Sequence, residues 1–376
     1  MAEQRPSTTP QKPRSQKPPS QKPPSQKPPS QKRGRDPWFD NIKVTLVTLV
    51  VVGHAWTLLP KLRLNSWLYD FLYAWHIPAF VLITGYLSRS FTYTPRRLWL
   101  LVRTVAVPYF IFEGLLGWYR IEVGGEHMRR LFLNPHWPMW YLVAMFIWRL
   151  LTPIFLRIPF AVLVAAAISV LSGIWATDIL DLSRVFGFLP FFVVGLAMHP
   201  RHWELLRSRW ARYVGVGVLL AIFVLARYTD RWIRTDWLYY RNRYDELDPS
   251  NGHAMMVRSV LLVIGLCGSL AVFTIIPRAR GWYTVLGPAT LVVYLFHGFF
   301  IKTAEYQGYQ EWASRHPFGS RPLTAAAAVA LAMVLALPWV ARPLGVVTDP
   351  LGAIGRLRIL RDRGERKSRE SRDAVR

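Results

Sequence analysis

Asp40-Asn-Ile-Lys43-Val-Thr-Leu-Val-Thr-Leu-Val-Val-Val-Gly-His54 is the stretch on which the fold turns. Between Val44 and Gly53 it carries no charge and only two threonines. Wound as a helix it is apolar around its whole circumference, whereas a soluble surface helix keeps a polar face. The apolar run continues to Leu59, which brings it to the roughly 20 residues a bilayer span requires. Lys43 and His54 are eleven residues apart, close to three turns, so they share one face with a rise of about 16 Å between them. Asp40 and Lys43 are three apart and can pair. An ionisable group inside a span is costly and usually faces a cavity or a partner, which makes Lys43 and His54 site candidates.

The rest of the chain extends this reading. Its 376 residues are 52% hydrophobic and 14% aromatic, with 17 Trp, and only 18% are charged. That charged share lies below the roughly 25% of soluble domains. Long apolar blocks such as Phe160 to Trp175 and Ala325 to Val340 argue against a soluble enzyme and against a disordered chain. The net charge of +25 invites a nucleic-acid reading. The charge, however, lies in tails and short loops between apolar blocks, as charges left on one side of a membrane do, so no nucleic-acid partner is expected. The single Cys267 excludes an internal disulfide and a thiolate metal site. About forty hydrophilic residues precede the first apolar block, so that block is expected to act as signal and anchor together.

Ten apolar segments are expected as spans, at 41–59, 67–88, 98–118, 138–156, 159–177, 184–199, 211–228, 255–277, 283–302 and 323–346. The fold class is therefore all-α, a polytopic membrane protein with about ten transmembrane helices. Residues 1–35 repeat Ser-Gln-Lys-Pro-Pro and form a basic tail with nothing to bury; residues 36–350 form the transmembrane domain and 351–376 a second basic tail. An even number of spans puts both tails on one side, and basic flanks make that side the cytoplasm of a plasma membrane. The loops agree: Arg89 to Arg97, Arg201 to Arg212 and Pro277 to Arg280 are basic, while 227–250 mixes five Arg with five acids. The basic Lys61 to Arg63 is the exception. No internal repeat of the kind frequent in transporters is visible.

Further polar groups lie inside the expected spans. His76 precedes Pro78 in the second, and a short hairpin should bring it within reach of the cavity of His54. His297, in the ninth, falls at comparable depth. Three such histidines exceed what packing alone would supply. Arg103 lies inside the third span, behind Arg96 and Arg97, where guanidinium groups suit the phosphates of a cytosolic ligand. Glu113 is placed at mid-depth and needs a histidine or arginine partner. No metal-ligand pair, nucleotide-binding Gly-rich loop or Gly-x-Ser-x-Gly occurs.

These residues resemble the membrane-bound acyltransferase 3 family, and within it the fucose 4-O-acetylase-like branch. The family's first helix has Arg or Lys, ten residues, then His, as Lys43 and His54 do. Its His-Met-Pro-Leu-Phe followed by Ser-Gly-Tyr is similar to His76-Ile-Pro78-Ala-Phe80 and Thr84-Gly85-Tyr86. A basic cluster before Pro-Tyr resembles Arg96, Arg97, Arg103, Pro108 and Tyr109. Trp140-Tyr141-Leu142 matches the opening of the fourth helix, and Leu286-Gly-Pro-Ala-Thr-Leu-Val-Val-Tyr294-Leu-Phe-His297 a motif near the end. The likeness covers about residues 36–345. The family's Arg-x-x-Arg on the third helix is not intact, since Leu100 and Arg103 occupy the aligned pair.

The resemblance implies acyl transfer from acyl-CoA, acetyl-CoA first among donors, to a hydroxyl of a cell-surface or lipid-linked carbohydrate. His54 is the expected general base, with Lys43 and His76 beside it as catalytic residues. Arg96, Arg97 and Arg103 are expected to bind the CoA phosphates. Glu113, Trp140, Tyr141 and His297 are expected to line the acceptor site. The expected partners are acyl-CoA, the carbohydrate or glycolipid acceptor and membrane lipid, with no resident cofactor and no metal. The rival reading is a transporter or flippase of a lipid-linked sugar, in which the same polar groups mark a substrate path.

Overall fold

The computed structural model describes residues 36–355 apart from 129, 176 and 249; the two basic tails expected from the sequence lie outside the described residues except for 351–355. Among the described residues every regular element is helical. Helix α1 (Pro37–Trp56) begins where Asp36 accepts a hydrogen bond from the Trp38 N–H at 3.0 Å, and Pro37 presets the first turn. Fourteen of its twenty residues are buried, so its all-round apolar surface is met by protein rather than lipid. It is the axle of the bundle.

Around it run α2 (Arg63–Tyr73) and α3 (His76–Ser88), then α4 (Pro95–Leu101) and α5 (Val107–Glu122) joined by a π-helical turn at Val102–Ala106. Next come α6 (Trp140–Phe155), α7 (Ala161–Trp175), α8 (Leu182–Gly187), α9 (Leu189–Ala197), α10 (Pro200–Leu206) and α11 (Arg209–Ala226). A long connection holding the one-turn α12 (Tyr244–Leu247) leads to α13 (Asn251–Ile275). The chain closes with α14 (Thr290–Tyr306), α15 (Tyr309–Arg315), α16 (Ser320–Ala336) and α17 (Pro338–Thr348). Helix α1 packs on α3, α14, α16 and the 3-10 segment Trp282–Ala289.

Local chemistry sets the breaks. The α2–α3 break falls at Ala74 and Trp75, not at Pro78. Pro78 sits in the first turn of α3, where its missing N–H is tolerated. The π-helical turn precedes Pro108 and gives its ring room against the previous turn. Pro338 bars its predecessor from the helical region, so Leu337 takes an extended conformation. Helices α16 and α17 consequently meet at 74°. Helices α3 and α9 cross in backbone contact: a Cβ on Gly85 would lie 2.0 Å from the Phe192 carbonyl oxygen, and one on Gly195 2.1 Å from that of Leu82. Small residues at a crossing are how helices without a hydrophobic drive between them pack closely.

Each of the ten apolar segments is helical over most of its length. Among the described residues, however, six helices are long and apolar enough to cross a membrane, or eight if each bent pair is one span. The expected count of ten exceeds this for two physical reasons. Helix α7 is only 15 residues. Helix α1 interrupts its apolar run with Asp40, Asn41, Lys43 and His54. The protein is a multi-pass, all-helical membrane protein.

Candidate active site

The last turn of α1 carries His54, and the Thr57 hydroxyl finishes that turn by donating to the His54 carbonyl at 2.7 Å. The imidazole is buried. Its Nδ1 is 2.7 Å from Nε2 of His297 on α14, and the two rings are nearly parallel, 5.0 Å between centroids. The His297 Nδ1 lies 3.1 Å from the Val293 carbonyl. A carbonyl only accepts, so His297 Nδ1 carries the hydrogen and, in the neutral ring, His297 Nε2 is an acceptor. His54 Nδ1–H therefore donates to it. This leaves the lone pair of His54 on Nε2, which has no protein partner among the described residues.

His54 lines a cavity of about 470 Å³. Tyr69, Tyr73 and Ile77 of α2 and α3 form one wall, and Trp137, Trp140 and Phe188 another. The Trp137 ring is 4.7 Å from that of His54. Arg184 lies over Trp140 at 5.2 Å and pairs with Asp181 at 2.6 Å. The connection between α11 and α13 covers the cavity with Asp236, Tyr239, Arg241, Asn242 and Glu246. It is fastened to α2 by the Thr235 hydroxyl donating to Asp70 at 2.8 Å and by the Tyr239–Tyr69 hydroxyl pair at 3.0 Å.

Trp137 is held at both ends of the segment before it. The Glu113 carboxylate, wholly buried on α5, accepts the His136 backbone N–H at 3.1 Å and is bonded by His136 Nδ1. Glu126 is bonded by Arg120, by Lys302 at 3.1 Å and by Tyr306 at 2.5 Å. Partial burial works to raise the Glu126 carboxyl, but these donors outweigh it and hold it down at about 2. Trp137 itself has a positive φ in the left-handed region. That conformation costs a non-glycine residue about 1–3 kcal/mol and clusters at functional sites.

Lys43 occupies a different place. Its ammonium pairs with Asp40 at 2.7 Å and faces a second cavity of about 280 Å³. Thr84, Thr104, Tyr141, Arg149 and Tyr294 line it among aliphatic side chains. One aromatic layer separates the two cavities. Tyr141 is 2.5 Å from the Thr84 hydroxyl and its ring 5.6 Å from that of Tyr294, whose hydroxyl donates to the Pro138 carbonyl and whose ring lies 6.0 Å from His297.

The structure thus brings together His54, His297 and Trp140, and groups Lys43 with Tyr141. It places the other expected site residues elsewhere. His76 donates from Nδ1 to the Leu72 carbonyl at 2.7 Å and packs edge-on against Tyr73, behind the cavity wall. Its Nε2 is buried without a partner among the described residues. Glu113 supports Trp137 through His136 rather than lining the cavity. Arg103 is engaged by Asp349 at 3.1 Å, and Arg96 and Arg97 are exposed on the first turn of α4. Sequence reasoning missed Trp137, Arg184, His136 and the covering residues 236–246. The charge mixture at 178–184 and in 227–250 was the available signal.

Two paired imidazoles, set among membrane helices beside a polar and aromatic cavity, form the candidate active site. The family model described as an acyltransferase domain matches residues 36–341, and the chain belongs to this acyltransferase 3 family. No curated protein and no solved structure matches it.

Proposed function

We propose that the protein moves an acyl group, acetyl foremost, from acyl-CoA to a hydroxyl of a cell-surface or lipid-linked carbohydrate. The observation that carries this reading is the cavity-facing Nε2 of His54, made a hydrogen-bond acceptor by the chain Val293–His297–His54. His54 would take the hydroxyl proton as the sugar oxygen bonds to the thioester carbonyl carbon. When the tetrahedral intermediate collapses, the C–S bond breaks and the same imidazolium returns the proton to the departing thiolate. His297 stabilises the imidazolium and fixes the ring, the role an orienting group has in a nucleophile–base–orienter array.

The donor would enter from the Lys43 side, its pantetheine arm carrying the thioester past the Tyr141–Tyr294 layer to His54. The Lys43 ammonium and Arg149 offer positive charge to the phosphates, and the aliphatic walls suit the long pantetheine arm. The acceptor would occupy the His54 cavity. Faces of Tyr69, Tyr239 and Trp140 beside Asp236, Arg241 and Asn242 match a ring with apolar faces and hydroxyl edges. In this reading the protein lies in the plasma membrane with both termini in the cytoplasm and falls in the fucose 4-O-acetylase-like branch that its sequence resembles.

Purified protein in vesicles, given labelled acetyl-CoA and extracted surface glycans, tests it. Free CoA thiol should appear only with the acceptor, whose mass should rise by one acyl group. Sugar crossing the bilayer with no thiol released would replace this reading by the transporter one.

A further inference from the structure

A recess of about 270 Å³ at the start of α11, away from both cavities, is lined by Arg207, Arg209, Arg212 and Arg278, with Ile276 and Pro277 forming part of its floor. No carboxylate lines it among the described residues. Arg207 is engaged by Asp36 and lies over the Trp38 ring. Arg278 donates to the carbonyls of Arg207 and Leu206, the latter at 3.2 Å, and so closes the end of α10. Arg209 and Arg212 have no carboxylate partner among the described residues and are largely open to the surface. The first-turn N–H groups of the eighteen-residue α11 add their own positive end. Burial and the neighbouring Arg207 and Arg212 charges push the Arg278 guanidinium below its usual range, as expected where cations face one another without an anion between them.

We propose that this recess binds a phosphate group, with Arg209 and Arg212 free to hold it and Arg278 at its back. Lipid headgroups and soluble phosphates share that chemistry. The surroundings favour the lipid. Only 17% of the most apolar window of α11 is buried within the protein, the least of the six long apolar helices among the described residues. Trp210 and Tyr213 project beside the arginines and are both highly exposed, as aromatic anchors at a membrane surface are. Ile275, Ile276 and Pro277 give the recess an apolar wall. Basic pockets between membrane helices are a recurrent form of anionic-lipid recognition.

Native mass spectrometry of the full chain, loaded from vesicles of phosphatidylglycerol or phosphatidylcholine, tests the proposal. The wild type should retain phosphatidylglycerol selectively. Arg209→Ala and Arg212→Ala should each lower retention about fivefold, the effect of one basic residue near a lipid surface. Arg212→Lys should keep most of it, and Arg315→Ala, an exposed arginine elsewhere, should leave it unchanged. Thermal protection by inorganic phosphate in the wild type but not in the Arg209→Ala, Arg212→Ala protein, with equal retention of both lipids, would support the site with a soluble source. Equal retention of both lipids by all variants and no protection by phosphate would overturn it. So would an equal loss in the Arg315→Ala protein.

Discussion

The His54 cavity and the Lys43 cavity open along the same face of one helix, yet their linings differ. The first is walled by aromatic faces and by charged side chains from connections, and its histidine has one nitrogen tied to His297 and the other unengaged among the described residues. The second mixes aliphatic side chains with Tyr141, Tyr294 and Arg149, and its Lys43 ammonium is tied to Asp40 three residues away. The uncharged helix between Lys43 and His54 keeps the two polar ends about 16 Å apart. One site can therefore handle a proton while the other handles charge and an apolar arm, with Tyr141 and Tyr294 between them. The division is testable by substitution.

The largest expected effect is at His54. If proton transfer belongs to its cavity, His54→Ala should reduce acceptor-dependent thiol release by about 10²–10⁴-fold, with thermal unfolding close to wild type. Activity retained in that variant would break the division outright. His297→Leu removes the group that orients the base, so kcat should fall about 10–100-fold, the value of one strong buried hydrogen bond. The KM for acyl-CoA should stay unchanged. A rise in that KM would mean that His297 serves the donor.

Lys43→Met in an Asp40→Asn background should show the converse pattern, measured by steady-state kinetics over acyl-CoA concentration. The KM for acyl-CoA should rise about tenfold, as loss of a charged hydrogen bond predicts, with kcat little changed. The smallest effect concerns the support of Trp137. Glu126 has a folded-state pKa of about 2, below the ordinary 4.5. Its ionisation therefore contributes stability that is present above the ordinary carboxyl range and lost as pH falls toward the folded-state value. Glu126→Gln should unfold at a slightly lower temperature than wild type at neutral pH, and the gap should close between pH 4.5 and about 2. A gap that persists at the acid end would assign the difference to packing.

Much of this was legible before any coordinate. A polar residue in an apolar run stands out because the bilayer admits so few, which is why Lys43, His54 and His297 could be named from the chain. Their depths could be counted because each helical residue advances by a fixed rise. Depth did not give azimuth. His76 has a comparable depth, but the break at Ala74 and Trp75 turns it behind Tyr73. Glu113 was known to need a partner, yet His136 lies in a connection with no periodicity to place it. Arg103 looked available for a ligand until the bend at Pro338 brought Asp349 alongside it.

The sequence alone determined that the chain is helical, that it belongs in a membrane, and that one helix carries a cation and an imidazole on a shared face. Period and hydropathy are local properties, and the cost of polar atoms in lipid amplifies them. Only the tertiary structure decided that His54 meets His297, that Arg184 and Tyr239 close the same cavity, and that two arginines at the start of α11 stand without acids among the described residues. Those facts depend on helix rotation and on how connections fold back. Both are fixed by contacts between residues far apart in the chain, such as Gly85 against Phe192, which no local pattern records.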